Sequence, residues 1–497
     1  MKRLLVAVIL CSCFLSITCG VVHAQDPKSV WVRQAGGEEL DAGSGIAVDA
    51  WGNSLVTGAF SGTADFGFDT SPLFSLGGFD IFVAKYDENG KPVWVRQAGG
   101  TGRDEGLAAA VDGMGNGIVS GRFSGTTDNP AVFGSVTLAS SGGSTDIFVA
   151  KYDAQGDVAW AKQAGGRGED QAFGLATDGN GNILITGRFR GPTNDPSVFG
   201  SIQLFSAAGS ADVFIAKYDP DGNPLWAKQA GGIGHDEGLD IAADALGHVY
   251  VTGRFQGQAN FDAVTLVSEE GSDDVFTAKY DRNGNVLWAK KGGGSGQDYG
   301  SGLATDARGH AVITGYYEET AAFGTQDLTS EGAGDLFVVK YDAEGEILWA
   351  QSAGGSGDDG GHAVSADRSG HIMVTGYYHR FADFGTRQLS TPNGGPSDIF
   401  IARYDPEGKL MWLEGLGGPE ADLGRDLAMD AMGQGYVVGT FRNTAFLGTF
   451  PLFTSAGEED TFTLKIGLPF GDINGNGKIG LEEAIYALQV MSRMRPK

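Results

Sequence analysis

A tryptophan segment recurs along most of this chain at nearly constant spacing. Trp31, Trp94, Trp160, Trp226, Trp288, Trp349 and Trp412 stand 61 to 66 residues apart, and each opens a variant of WxxQxGG, as in WAKQAGG at 160–166 and 226–232. A fixed period of this length marks a repeat architecture, in which no unit buries its apolar faces alone. It overrides the prior of roughly three independent domains that 497 residues would suggest.

Three further signatures lie between successive tryptophans. In the first copy they are Asp41 to Asp49 around a run of small residues, the VTGxF run at Val56–Phe60, and DIFVAKYD at Asp80–Asp87. Each copy therefore predicts four strands. In Asp80–Asp87, Phe82, Ala84 and Tyr86 alternate with Ile81 and Val83, so both faces of the strand are apolar. Stacking four-stranded sheets around an axis covers both faces of each without helices and leaves only short edges. The small-residue runs GSGIAV (43–48) and GLAAAV (106–111) suit the crowded strand nearest the axis.

The expected fold is all-β: a seven-bladed β-propeller of four-stranded blades, with a short C-terminal calcium loop and helix. The seventh copy stops at DTFTLKI (460–466), while a surplus VWVRQA stands at 30–35. The N-terminal strand is thus expected to complete the last blade. The predicted boundaries are a signal peptide at 1–24, the propeller at 25–466 and the tail at 467–497.

The motifs DxFVAKYDxxGxxxWxxQxGG and IAxDxxGNxxVTGxF resemble the bacterial seven-bladed β-propeller repeat proteins known as SBBP repeats, over about residues 30–466. That resemblance implies the fold and a secreted or cell-surface setting. It implies little about activity, because propellers host unrelated functions.

Residues 1–24 run from Lys2 and Arg3 through an apolar stretch to Val22-His23-Ala24, the pattern of a secretory signal peptide. Cleavage there removes Cys11, Cys13 and Cys19, the only cysteines, and with them any disulfide or thiol chemistry. The triplet Ser16-Ile17-Thr18 before Cys19 is a poor lipobox, so a lipoprotein anchor is not expected. The expected location is extracellular, at a bacterial cell surface, or periplasmic. No later apolar run approaches the ~20 residues of a membrane-spanning helix.

The formal charge of −27 becomes −29 once Lys2 and Arg3 are lost, which disfavours nucleic acid and anionic membranes as partners. Most of the excess is repeat chemistry. Asp41, Asp104, Asp170, Asp236, Asp298, Asp359 and Asp422 form one set. Asp49, Asp112, Asp178, Asp244, Asp306, Asp367 and Asp430 form a second, and Asp80, Asp146, Asp212, Asp274, Asp335, Asp398 and Asp460 a third. Many open turns such as DAWGN (49–53), where Asp accepts backbone N–H bonds and Gly supplies the left-handed position. Turn and edge capping is the expected role of all three sets. GGTGRD (99–104) and GGIGHD (231–236) match the GGxGxD of calcium-binding β-rolls, but one copy per blade cannot build a roll.

No GxSxG, HExxH or Cys-His arrangement occurs, and His248, His310 and His371 hold the turn position that Asn53, Asn116 and Asn182 fill elsewhere. A non-enzymatic binding or scaffolding role is expected. The alternatives are a carbohydrate-active propeller enzyme, either a polysaccharide lyase or a hydrolase, and a spacer whose tail does the docking. The tail GDINGNGKIGLEE (471–483) fits the pattern of a calcium loop throughout. Asp472, Asn474, Asn476, Lys478 through its carbonyl and a bidentate Glu483 are the expected calcium ligands, with Gly477 at the sharp turn. Leu481, Ile485, Leu488 and Met491 are spaced for one apolar helix face. Loop plus helix resembles half of a dockerin module, which implies docking through the C-terminal helix.

One arc breaks the repeat. The residue before the VTGxF aromatic is Ala59, Arg122, Arg188, Arg254, Tyr316, Tyr377 and Thr440 in chain order. Arg offers planar forks for acidic groups and Tyr a flat face for sugar rings. Arg122, Arg188, Arg254, Tyr316 and Tyr377 are therefore the candidate ligand-binding residues, for an acidic polysaccharide or an extracellular protein. The competing role is structural, with each Arg paired to an Asp of the neighbouring blade and each Tyr filling a gap between blades.

Overall fold

In the computed structural model of the chain, residues 28–467 are described, apart from 208, 270 and 392–394. The signal peptide, the calcium-loop residues and the expected C-terminal helix lie outside the described residues.

The first repeat shows the local logic. Asp41–Val48, Ser54–Phe60, Asp80–Tyr86 and Pro92–Ala98 pair in that order as one antiparallel sheet. Ser54–Phe60 and Asp80–Tyr86 are buried along their whole length, which is why they carry apolar residues at successive positions. The core is divided into clusters that each draw side chains from two neighbouring repeats, such as Ile147 and Val149 with Ile183 and Phe214. Burial of apolar area thus holds sheet to sheet as much as strand to strand.

The innermost strands contact one another in sequence around a closed circuit, from Asp41–Val48 through Glu105–Val111 and onward to Leu423–Met429, which returns to the first. Their approach is close: a side chain at Gly45 would lie 2.8 Å from the Ala108 Cα. At the other end of the repeats the tryptophans, except Trp412, reach the neighbouring repeat. Trp31 Nε1 donates to the Glu88 carbonyl (3.0 Å) and Trp94 Nε1 to that of Ala154 (3.1 Å). The ring lies on the glycine of that turn, whose left-handed backbone (Gly90 φ 73°, Gly156 φ 79°) leaves no room for a Cβ. Lys28–Ala35 pairs antiparallel with Asp460–Gly467, so the two ends of the described chain share one sheet.

The expectation of seven separate four-stranded blades is corrected. Four sheets have four strands, one has six and one has eight, with five two-stranded ribbons beside them. The cause is the Gly-Gly that ends each tryptophan strand. In most repeats its first glycine makes a single bridge to the next repeat's connecting hairpin, as Gly99 does to Val132. At Gly231–Gly232 the contact extends to two pairs, and at Gly292–Gly294 to three. There the backbone ladder runs on from one repeat into the next and the sheets merge. Among the described residues the one helical element is a 3-10 turn at Ser141–Gly143, and no helix is long and apolar enough to cross a membrane.

Candidate functional site

Register brings the irregular residues together. The position before the VTGxF aromatic pairs across the sheet with the residue after the first-set aspartate: Ala59 with Ala42, Arg122 with Glu105, Arg188 with Gln171 and Arg254 with Glu237. The series continues with Tyr316 and Tyr299, Tyr377 and Gly360, and Thr440 and Leu423. Because the register is common to all, these pairs share one end of the ring, where Arg122, Arg188, Arg254, Tyr316 and Tyr377 form a continuous arc.

The arginines are held by acids. Glu105 accepts from Arg122 through Nε (2.9 Å) and Nη2 (2.6 Å), and also from Arg103. With its amide turned to suit its neighbours, Gln171 accepts from Arg122 Nη1 (3.0 Å) and Arg188 Nη2 (3.1 Å). Glu237 takes Arg188 on Oε1 (2.5 Å) and Arg254 on Oε2 (2.9 Å), and Arg254 Nη1 reaches Asp273 at 3.0 Å. The chain of contacts runs unbroken from Arg103 to Asp273 through three repeats. Beside it, burial lowers the proton affinity of His235, Glu237 opposes that shift, and Arg254 and Arg188 add to it.

Beyond Arg254 the arc is aromatic. Tyr299 and Tyr316 stack with centroids 5.0 Å apart and planes at 18°. The Tyr316 hydroxyl donates to Glu318 (3.0 Å), with Asp358 at 3.3 Å as the alternative acceptor; burial and the Glu318 bond both push its ionisation up. Tyr377 lies against His362 at 5.1 Å and His379 at 5.8 Å. His362 Nδ1 is 2.8 Å from the Gly424 carbonyl, and burial, aided by Arg425, lowers its pKa to about 4. At neutral pH it is an uncharged imidazole that donates through Nδ1.

Sequence reasoning missed Glu105, Gln171 and Glu237. Their signal is in the chain: RDEG, EDQA and HDEG vary after the aspartate in step with the arginines. The structural role expected for the arginines named Asp of a neighbouring blade. Arg188 does reach the next repeat, but to Glu237, while Arg122 binds Glu105 of its own.

The second aspartate set caps turns. Asp49 Oδ1 accepts from the N–H of Trp51 (3.0 Å) and Asn53 (2.9 Å), and Asp178 also holds the buried Lys217 at 2.8 Å. His248, His310 and His371 each place Nδ1 on the aspartate of their own turn. Among the described residues no group of three or more His, Cys, Asp or Glu converges as a metal site.

Residues 159–188 match the family model described as SBBP, beta-propeller repeat. The chain is 23% identical, over 84% of its length, to the uncharacterized WD repeat-containing protein L264 of Acanthamoeba polyphaga mimivirus, of which it covers 36%. It is 29% identical, over 69% of its length, to Regulatory protein FlaEY of Caulobacter vibrioides, of which it covers 33%. The chain thus spans about a third of the length of the curated relatives it matches. Among solved structures, the WD40 beta propeller domain of Doa1 aligns with 90% of this chain and 98% of its own, at 8% identity and a TM-score of 0.44. With the repeat match and the WD-repeat relative added to the geometry, the chain is a β-propeller repeat protein.

Proposed function

We propose that this chain is an exported, non-enzymatic binding scaffold that presents the Arg–Tyr arc to an acidic extracellular polysaccharide. The observation that carries the proposal is the break in symmetry: cationic and aromatic side chains concentrate on one arc of one end of the ring. From Arg103 to Asp273, four guanidinium groups meet three carboxylates, a local cation excess on a chain of formal charge −27. An anionic polymer is drawn to such an arc. The acids pre-set the guanidinium planes, so less freedom is lost when a ligand carboxylate or sulfate engages them. Of the neighbouring tyrosines, the half-buried Tyr299 and Tyr377 supply flat amphipathic faces for sugar rings, while the buried Tyr316 backs Tyr299.

The test is a glycan screen with the parent protein, Arg188→Ala and Tyr316→Ala. Weakened binding of an acidic polysaccharide with unchanged melting supports the arc as the site. Loss of stability with binding intact assigns these residues to structure alone. Turnover of a polysaccharide by the parent would replace the scaffold reading with a carbohydrate-active enzyme.

A further inference from the structure

Every joint between successive repeats buries two carboxyl groups. One belongs to the first aspartate set and the other to the third: Asp104 with Asp80, Asp170 with Asp146, Asp236 with Asp212, and Asp41 with Asp460 at the seam where the chain ends meet. All eight are at most 1% exposed. Each pair converges beside the first glycine of the Gly-Gly. A side chain at Gly165 would lie 2.9 Å from both Asp146 Oδ1 and Asp170 Oδ2; at Gly99 the distances are 2.8 Å to Asp80 Oδ1 and 2.9 Å to Asp104 Oδ2. Gly231 and Gly36 repeat the arrangement.

The hydrogen bonding of each of these pairs is short by at least one bond. Asp170 Oδ2 accepts from Gly166 N–H (2.7 Å), and Oδ1 from the Ser197 hydroxyl (2.9 Å) and Arg190 N–H (3.2 Å). Asp146 Oδ2 accepts from Ser141 N–H (2.9 Å) and Gln163 (3.3 Å). Asp146 Oδ1 has no partner, and the same atom is orphaned in Asp80, Asp212 and Asp460. Two ionised carboxylates buried this close repel, and an orphaned carboxylate oxygen forfeits its hydration. One joint supplies its own counter-charge, and there the corresponding Oδ1, on Asp274, accepts from the Ser272 hydroxyl (3.1 Å). At Asp274–Asp298, Lys291 replaces the glutamine found at Gln97 and Gln163, and its ammonium lies 2.6 Å from Asp274 Oδ2.

We propose that the joints without such a lysine each hold one proton between their two carboxyl groups, carried on the orphaned Oδ1 and donated to the partner's Oδ2. A proton needs no volume, and among the described residues no group of three or more His, Cys, Asp or Glu gathers at a joint to supply the six or more oxygen ligands of a bound calcium ion. Six joints carry further acids: Glu39 beside Asp41, Glu105 beside Asp104, Asp273 beside Asp236, Glu318 beside Asp298, Asp358 beside Asp359 and Glu459 beside Asp422. Asp146–Asp170 is faced by Ser141, Gln163 and Ser197 and by no charged side chain among the described residues. Burial, reinforced at Asp146 by Asp170, raises both to about 7. Folded values above the ordinary carboxylate range mean stability that is complete below about pH 4 and lost as pH rises through about 7. The ring is then a closure that protons tighten.

Thermal unfolding of the full chain between about pH 5 and pH 8.5 tests this. The parent's Tm is expected to fall across that window. Asp146→Asn and Asp460→Asn place an amide N–H on the orphaned position, so each should raise Tm at the alkaline end and flatten the slope. A parent Tm that is flat or rising, or slopes unchanged in both variants, overturns the proposal. Infrared spectra of the parent give a readout independent of the variants: a protonated-carboxyl C=O band is expected near neutral pH and lost at alkaline pH, and its absence near neutral pH also overturns the proposal. If calcium or potassium restores the parent's alkaline Tm but not that of Asp146→Asn, the joint holds a metal cation instead of a proton.

Discussion

Asp178 shows how much one repeated residue can hold. Its Oδ1 accepts the N–H groups of Asn180 (2.9 Å) and Asn182 (3.0 Å), while Oδ2 takes the Asn182 amide (2.8 Å) and the Lys217 ammonium (2.8 Å). Asp178 is 7% and Lys217 4% exposed. Asp178→Ala would strand that ammonium, so denaturant unfolding should report a loss of about 3 kcal/mol. Asp219 makes the same turn bonds at the surface, to Asp221 and Asn223, without a buried lysine. Its alanine variant should lose about a third as much. Equal losses would show that the turn, not the ion pair, carries the energy. The Asx turns were legible in the sequence because an Asp-x-x-Gly pattern specifies its own hydrogen bonds locally. The arc was legible only in part. Arg122, Arg188 and Arg254 stood out by breaking the repeat, but their partnership with Glu105, Gln171 and Glu237 depends on cross-strand register, which becomes visible only when two strands are aligned.

At the scale of elements, the N-terminal strand is the informative piece. Lys28–Ala35 covers Asp460–Gly467 and buries Trp31 (4% exposed) and Val32 (5%). Deleting residues 28–35 exposes a sheet edge and removes several kcal/mol of apolar burial. The expected thermal transition is lower and broader, because an open array unfolds less cooperatively than a closed one. A sharp transition at the parent's temperature would show that the ring does not depend on this strand. The tryptophan and DxFxAKYD strands were readable because their side chains alternate at fixed offsets. The merging of sheets at Gly231–Gly232 and Gly292–Gly294 was not, since it is made by backbone groups of residues that carry no side-chain signal. The tail is tested by its own chemistry. Calorimetry should find one calcium site that weakens in Glu483→Gln, where the bidentate charge is lost, and disappears when the chain ends at Ile466. Unchanged binding in both would move the ion to the ring.

For the whole molecule the buried acids act in two opposed groups, and together they set a pH optimum. Burial raises the values of the turn carboxylates Asp112, Asp178, Asp306 and Asp367, but their hydrogen bonds and cationic partners, such as Lys217 at Asp178, outweigh it and leave them below the ordinary carboxylate range. Stability from a depressed group is present above about pH 4 and lost as pH falls through the folded value. The joint carboxyls have the opposite sign. Asp104 is raised to about 6 and Asp146, Asp170, Asp212 and Asp236 to about 7, chiefly by burial, so their contribution fades as pH climbs through that range. Urea unfolding as a function of pH should therefore give a maximum on the acid side, between about pH 4 and pH 6, instead of near neutrality. The net charge of −27 also works against the folded ring at high pH through surface repulsion. Salt separates the two causes. At about 1 M, where the screening length is ~3 Å, surface repulsion is quenched but pairs at most 1% exposed are not. An alkaline decline that survives high salt and flattens in Asp146→Asn belongs to the joints; one that salt abolishes belongs to the surface. Asp178→Asn should instead flatten only the acid limb, because it removes a depressed group and leaves every joint intact.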